Sequence, residues 1–468
     1  MNRRILPTLI LSVLLASPLR GQATNTDSLS LTLADALARV SLREPRLATA
    51  LAQRDMARAA RGEALSEQRN RFLPAVSASF GTQRTAQNQF VEIARRAGIP
   101  PTPADQLDPF SRVFAAPNNR TATLNAAVRP YDGGVSAARV DAARAGVEAS
   151  GYAESQTRTA LALEVVIRYA DVQLHRRLRD VADSALAHAQ RTLAVTRQAV
   201  AQGRTAEFEI WRVEADVEAL RPAQLDADRA LRVSELALRQ LLDLPATAPL
   251  RLETAAEPWS SAPGAIATTA PPTALPTTAR DGRLALRELD AREREAAART
   301  RAAWRALLPT LDVTLSHQRF AYPLRNTDWG GPYYQNTAIG VSFTLPLDLT
   351  GASVARIESA AAALRLAQAQ RRDAERVHAL EQADLQAQIE ASRVAWQAAM
   401  AGAASADKAL RVAQARHEVG RASLLELQDA RLTWQRAMAT RARAARDRTV
   451  IEARAERLDR LPLTAAQP

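Results

Sequence analysis

The sequence predicts a mainly α protein with a β-barrel portion, built from a duplicated unit of long helices and one strand pair. Three observations carry that prediction. Landmarks recur in the same order in both halves of the chain, apolar residues repeat at helical spacing over long Ala-rich stretches, and four short segments alternate apolar with polar residues.

The repeat comes first because it organises the rest. Gln202-Gly203-Arg204 returns as Val419-Gly420-Arg421, 217 residues later. A Leu-Pro pair follows each Gly, with Pro245 and Pro462 both 42 residues beyond it. Between them Glu209 aligns with Glu426 and Ile210 with Leu427, without a gap. Upstream, Leu73-Pro74 matches Leu308-Pro309, and Arg129-Pro130-Tyr131-Asp132 matches Leu345-Pro346-Leu347-Asp348. The segment between these markers is longer in the first half, 56 residues from Pro74 to Pro130 against 37 from Pro309 to Pro346. Four regions result: a secretory signal peptide over 1–23, a first repeat over 24–245, a Pro-rich linker over 246–280 and a second repeat over 281–468.

The helices follow from composition and spacing. Aromatic residues make up 4% of the 468, while Ala and Arg dominate, which suits long helices packed closely rather than a large globular core. A first helix is expected over Leu33–Asn70, with Thr32 as its cap and Asp35 three residues on. Its counterpart is expected over Leu284–Leu307. Long helices are expected over Ser136–Ala201 and Ala206–Leu242, then Val354–Val419 and Ser423–Leu458. Leu163, Ile167, Ala170, Leu174 and Leu178 show the spacing of three or four residues.

The strands are the second strong signal. Val76, Ala78 and Phe80 alternate with Ser77 and Ser79; Ala122, Leu124, Ala126 and Val128 alternate with Thr121, Thr123 and Asn125. Leu311, Val313 and Leu315 alternate with Asp312, Thr314 and Ser316; Thr337, Ile339, Val341, Phe343 and Leu345 alternate with Ala338, Gly340, Ser342 and Thr344. Strands are expected over about 74–82, 121–130, 309–318 and 336–346. One apolar face and one small, polar face fit strands that separate lipid from a watery lumen. Four strands cannot close a barrel, because outer-membrane barrels begin at about eight. The chain must lend its strands to an oligomer, and three chains would supply twelve.

Several functions are excluded or disfavoured. There are no cysteines, so disulfides, thiolate zinc sites, thiol catalysis and N-terminal lipidation at Cys are absent. The net charge of +12 comes almost wholly from Arg, Lys408 being the sole lysine. These charges interleave with Glu and Asp, as in Ala291-Arg-Glu-Arg-Glu-Ala296, which describes a solvated helix face and not a nucleic-acid site. No His-x-x-x-His, phosphate loop or serine elbow occurs, so neither an enzyme nor a cofactor is expected. Arg3 and Arg4, the apolar run Ile5–Ala16 and the small residues around Gly21-Gln22-Ala23 form the expected export signal, cut after Ala23. Trp329-Gly330-Gly331-Pro332, beside Tyr333 and Tyr334, reads as an extracellular turn with interfacial aromatics.

The chain resembles the TolC-like outer membrane factor (outer membrane efflux protein) family. The resemblance rests on Leu31-Thr32-Leu33-Ala34-Asp35-Ala36-Leu37 with Glu44-Pro45-Arg46-Leu47, on the Leu-Pro pairs before the strands, on Arg129-Pro130-Tyr131-Asp132-Gly133-Gly134, and on Val419-Gly420 with Leu424-Leu425-Glu426-Leu427. It covers nearly the whole chain after residue 23. It implies a homotrimer with a twelve-stranded barrel in outer-membrane lipid and a long periplasmic α-helical tunnel. It also implies two partners, a periplasmic adaptor protein and an inner-membrane pump or transporter, and no chemistry in this chain.

By the same resemblance Gly203 and Gly420 mark the periplasmic tips. Gly203, Arg204, Thr205, Gly420, Arg421 and Ser423 are then the adaptor-docking residues. Glu426 and Asp429, with Glu209 in the first half, become the gate at the narrowest point, and Arg212 stands where Asp429 would have its first-half counterpart. The chain departs from the family where an aromatic hydroxyl and an Arg help to lock the closed state; His417 and Ala422 occupy those positions. The rival function is a periplasmic coiled-coil adaptor or scaffold, which should carry compact β-rich modules in place of isolated strand pairs.

Overall fold

The computed structural model of the chain describes residues 29–85, 89–100, 106, 108, 111, 116, 118–247, 250–252, 282–323 and 333–463. The expected signal peptide, most of the Pro-rich linker and Trp329-Gly330-Gly331-Pro332 lie outside the described residues. In chain order the elements are β1 (Leu29–Leu31), α1 (Leu33–Arg43), α2 (Pro45–Asn70), β2 (Ala75–Arg84), α3 (Gln89–Arg96), β3 (Asn118–Tyr131), α4 (Val135–Ala201) and α5 (Phe208–Leu241). Then come β4 (Leu250–Leu252), α6 (Leu284–Arg305), β5 (Thr310–Ala321), β6 (Tyr334–Thr344), α7 (Ala352–Glu418) and α8 (Leu424–Arg457), closed by a 3₁₀ turn over Leu458–Arg460.

The duplication is visible as matched lengths. Both α4 and α7 have 67 residues, and both α5 and α8 have 34. At 1.5 Å per residue these are rods of ~100 Å and ~50 Å. Each long rod turns back on a short one, α4 on α5 and α7 on α8, while α2 and α6 flank the far half of α4. The buried apolar positions of that far half are Ala138, Ala142, Ala145 and Ala149, spaced by three or four residues. Their small side chains let α2 and α6 approach α4 closely.

The expected single helix over Leu33–Asn70 is two helices. Glu44 takes an extended conformation (φ −70°, ψ 123°) between α1 and α2, because Pro45 disfavours a helical residue before it. Pro45 then suits the first turn of α2, where its missing N–H costs nothing. The start of α1 is as expected: Thr32 and Asp35 form a reciprocal capping box. The break folds α1 against the middle of α4, where Ala36, Val40 and Leu47 meet Leu161, Val165, Tyr169, Val172, Leu231 and Leu238. This is the largest apolar core of the described residues, and it lies where the two halves of α4 meet. A smaller one, Leu385 with Ala455 and Leu458, occupies the midpoint of α7.

Arg283 cements the same level. It is 1% exposed and donates to His378 Nδ1 at 2.6 Å, to Glu381 Oε2 at 2.6 Å and to the Pro462 carbonyl at 3.3 Å. It thereby ties the start of α6, the middle of α7 and the chain beyond α8. Burial, then the neighbouring Arg283 cation, push His378 below its ordinary value, so the ring is neutral and free to accept.

Three short elements were not expected from the sequence. β1 and β4 form a parallel pair, with Leu29 opposite Leu250, and β4 falls within the segment assigned to the linker. α3 lies in the longer loop of the first half. The remaining strands form one antiparallel sheet in the order β2-β3-β5-β6, so the two repeats join through β3 and β5. Against strands expected over about 74–82, 121–130, 309–318 and 336–346, β2 ends at Arg84, β3 is longer at both ends, β5 runs on to Ala321, β6 begins at Tyr334, and Leu345 falls just past its end.

The turns from strand to long helix use one device twice. Asp132 accepts from the backbone of Gly134 (2.9 Å) and Ser136 (2.8 Å). Asp348 accepts from the backbone of Thr350 and Ser353. Burial would raise the Asp132 carboxyl, but the Ser136 and Gly134 bonds and the Arg71 guanidinium hold it below the usual range. Gly134 and Gly351 supply the left-handed residue before each helix, at φ 80° and 75°.

Candidate functional site

Two regions stand apart from the packed rods: the sheet at one end and the hairpin tips at the other. Directly paired residues of an antiparallel sheet share a face, so the register sorts the side chains. Val76, Ala78 and Phe80 pair with Ala126, Leu124 and Ala122. Ala126 and Val128 pair with Leu315 and Val313, which pair in turn with Ile339 and Val341. All of these lie on one face. Ser77, Ser79, Thr123, Asn125, Thr314, Ser316, Gly340 and Ser342 lie on the other.

No layer of the described residues covers the apolar face: Ile339 is 77% exposed and Val341 70%. β2 and β6 are the sheet's two edges, and every residue of β2 is exposed. A soluble sheet would bury such a face or blunt such edges. No helix among the described residues is long and apolar enough to cross a membrane.

At the other end both hairpins turn through the same left-handed glycine motif. Gly203 (φ 68°) donates to the Val200 carbonyl and Arg204 to Ala199. Gly420 (φ 70°) donates to His417 and Arg421 to Arg416. These bonds satisfy the last carbonyls of α4 and α7. The return helices differ. Ser423 caps α8, accepting from the Glu426 N–H at 3.2 Å, whereas Glu207 gives α5 no side-chain cap. His417 Nδ1 lies 3.0 Å from the Ala422 carbonyl, so the ring at this position braces its own turn.

The expected tip residues Gly203, Arg204, Thr205, Gly420, Arg421 and Ser423 are all exposed at the turns. The expected gate residues divide. Glu426 and Asp429 lie away from Leu427, Arg431 and Trp434, which define the buried face of α8. At 100° per residue Asp429 points almost opposite that face, between exposed Leu425 and Leu432. Glu209 is only partly exposed, and its Oε2 is buried without a hydrogen-bond partner.

Sequence reasoning missed two groups here. One is the exposed apolar pair Phe208 and Trp211 at the start of α5, answered by Val419 and Leu425 at the second tip. Aromatic residues at a helix start were a signal in so aromatic-poor a chain. The other is a link between the hairpins. Arg431, 5% exposed, donates to Asp216 Oδ2, joining α8 to α5. Nearby, His188 of α4 stacks edge-on against Trp434 at 5.7 Å and meets Gln414 of α7 at 2.7 Å. Burial, then the Arg191 and Arg431 cations, push His188 below its ordinary value. Asp216 lies about 12 Å along α5 from its start and Arg431 about 10 Å along α8, so the link holds the tips at nearly one level.

The model of the family described as "Outer membrane efflux protein" matches residues 36–243 and 275–458. The chain belongs to the outer membrane efflux protein family. It is an outer-membrane protein of a family of efflux channels, not of enzymes. Solved structures agree in fold. VceC of Vibrio cholerae is 17% identical, with a TM-score of 0.73 over 92% of this chain and 97% of that one. A membrane protein from Pseudomonas aeruginosa is 22% identical, with a TM-score of 0.72 over 92% and 90%. The outer membrane channel CmeC of Campylobacter jejuni is 17% identical, with a TM-score of 0.69 over 92% and 87%. No curated protein sequence matches the chain.

Proposed function

We propose that three copies of this chain form a passive exit duct, with a twelve-stranded barrel in the outer membrane and a periplasmic tunnel of helices closed at the tips. The observation that carries this is the sheet: four strands, apolar on one face and polar on the other, with both edges open. In lipid an unpaired edge leaves backbone groups unsatisfied, so the strands must close with other copies. Two copies would give eight strands, a barrel whose interior side chains fill it. Three copies at ~4.8 Å per tilted strand give a circumference near 75 Å and a backbone diameter of ~24 Å, the smallest closure that leaves a lumen.

The chain has no ATP-binding loop, so an inner-membrane pump or transporter supplies the energy. A periplasmic adaptor reaches it at the tips, on Gly203, Arg204, Thr205, Gly420, Arg421 and Ser423 with the apolar residues beside them. Glu426 and Asp429 form rings of three carboxylates that select cations, and Glu209 of the first hairpin belongs to the same gate. The duct serves efflux or type I secretion.

The natural absence of cysteine makes the assembly test clean. Cysteine pairs placed along the β2 and β6 edges should trap covalent trimers in outer membranes. A series that ends at dimers, or yields no crosslink at any register, rejects the closure. For the gate, Glu426→Ala with Asp429→Ala should weaken cation selectivity and block by multivalent cations in planar bilayers, with the trimer intact. Unchanged selectivity and block in the assembled double mutant would remove the gate assignment.

A further inference from the structure

The lumen face of the sheet is polar along its length, except at the end farthest from the helices. There Phe320 pairs with Tyr334 across β5 and β6, and with Thr121 across β3 and β5. The same register continues through Gln318 with Asn336, Ser316 with Ala338 and Thr314 with Gly340. Phe320 and Tyr334 therefore stand on the polar face, opposite the one that carries Val313, Leu315, Ile339 and Val341. Tyr334 is not the lipid-facing aromatic of a turn that its sequence neighbourhood suggests.

The rings form a group. Phe320 and Tyr334 stack at 5.8 Å with planes 23° apart. Tyr322, just past β5, meets Phe320 at 5.8 Å and 70°, and Tyr334 at 6.4 Å and 50°. All three remain partly exposed. A water-filled wall has no use for apolar rings, and the lipid belt on the other face already holds the residues the membrane requires. Exposed aromatic faces in an aqueous passage hold other aromatic molecules, and cations most firmly, because stacking and cation–π attraction add.

We propose that Phe320, Tyr322 and Tyr334 form an aromatic subsite at the outer mouth of the duct, which retains aromatic cations as they leave. The proposal rests on the trimeric duct described above; threefold symmetry then places three such groups around the rim. A cross-strand aromatic pair also steadies its hairpin, and the experiment separates that role from binding.

Single-channel currents are recorded in planar bilayers with tetraphenylphosphonium or tetrabutylammonium added on the outer side. These are hydrophobic cations of one charge, with and without rings. Wild-type channels should be blocked by tetraphenylphosphonium at concentrations about tenfold below those needed for tetrabutylammonium. Phe320→Leu with Tyr334→Leu should abolish that preference, and Tyr334→Phe should keep it. If the double variant does not assemble, Tyr334→Leu alone should reduce the preference severalfold. Equal block of wild type by both cations overturns the proposal. A preference that survives the leucine variants, with only thermal stability changed, overturns it too and assigns the rings to packing. A wild-type protein that carries no current removes the duct itself; a conducting one that treats both cations alike removes only the aromatic mouth.

Discussion

Replacing Arg431 with alanine should loosen the two hairpins of one subunit from each other. The Arg431 side chain is 6% exposed and its partner Asp216 21%. Removing one member of a fully buried ion pair costs about 3–5 kcal/mol, because the other charge is left desolvated and unpaired. Asp216 keeps a fifth of its exposure, so water recovers part of that penalty, and we expect about 2–3 kcal/mol. Asp216→Asn should cost less, since an amide can still accept from Arg431. Arg431→Met with Asp216→Val, which removes both charges at nearly constant volume, should return to within about 1 kcal/mol of wild type. The assay is denaturant unfolding of the purified trimer at fixed protein and detergent concentration, run as a double-mutant cycle with alanine at both positions. Coupling below about 0.5 kcal/mol would refute the argument, since two contacting buried charges cannot act independently. Bilayer recordings give a second readout: if this link holds the tips closed, Arg431→Ala channels open more often.

The sheet faces predict a sharp contrast. Val341→Arg, on the apolar face, should cost about 2–4 kcal/mol if it lies near the bilayer midplane and lower the yield of assembled trimer; Ser342→Arg, on the lumen face, should assemble normally on gel analysis of outer membranes. Gly420 sits at φ 70°, and a methyl group added there would meet nothing within 4 Å. Gly420→Ala should therefore cost about 1 kcal/mol through backbone strain alone, read as a lower melting temperature, and Gly420→Asn less. His378, facing Arg283, Glu381 and Asp459, is held below its ordinary value of 6.5. The unfolded chain therefore binds the proton first, and stability should be complete above that value and fall as pH drops below it. His378→Gln should flatten this dependence in melting curves between about pH 8 and 5; an unchanged slope would reject the role of this histidine.

Much of the fold was legible because periodicity is a local property. The two glycine turns, the four alternating strands and the long Ala-rich helices follow from residues near one another in sequence. The break at Glu44 was legible too, in Pro45, but the uninterrupted helical pattern around it outweighed that signal. β1 and β4 are three residues each, too short for alternation to register, and their pairing joins Leu29 to Leu250, far apart in sequence. The Asp216–Arg431 link was hidden for the same reason: each residue alone resembles a charge on a solvated helix. Only packing α8 against the first hairpin shows that one of them is buried. The orientation of Tyr334 depends on strand register, which a one-residue shift would reverse.

Divergence between the repeats bears on how the proposed gate would work. Two copies of one hairpin, left identical, would bring the same charges to the same height. Here the second hairpin carries Glu426 and Asp429 off the buried face of a capped helix, while the first has Arg212 at the position equivalent to Asp429 and a partly buried Glu209. In a threefold assembly, the second hairpins bring two acids from each copy. The first hairpins bring one acid and one Arg from each, whose charges cancel. A helix anchored by Ser423 at its start and by the buried Arg431 two turns on is held at both ends of the segment that carries the acids. The first hairpin, uncapped and bearing Phe208 and Trp211 outward, is suited to contact a partner rather than to line a constriction. Because Arg431 grips Asp216 and His188 packs on Trp434, a force applied to the first hairpin reaches the helix that carries the acids of the second. Adaptor docking and gate opening would then be coupled within each subunit. Weakening the Arg431–Asp216 bond should weaken that coupling, so that the gate of Arg431→Ala channels responds less to adaptor docking than the wild-type gate.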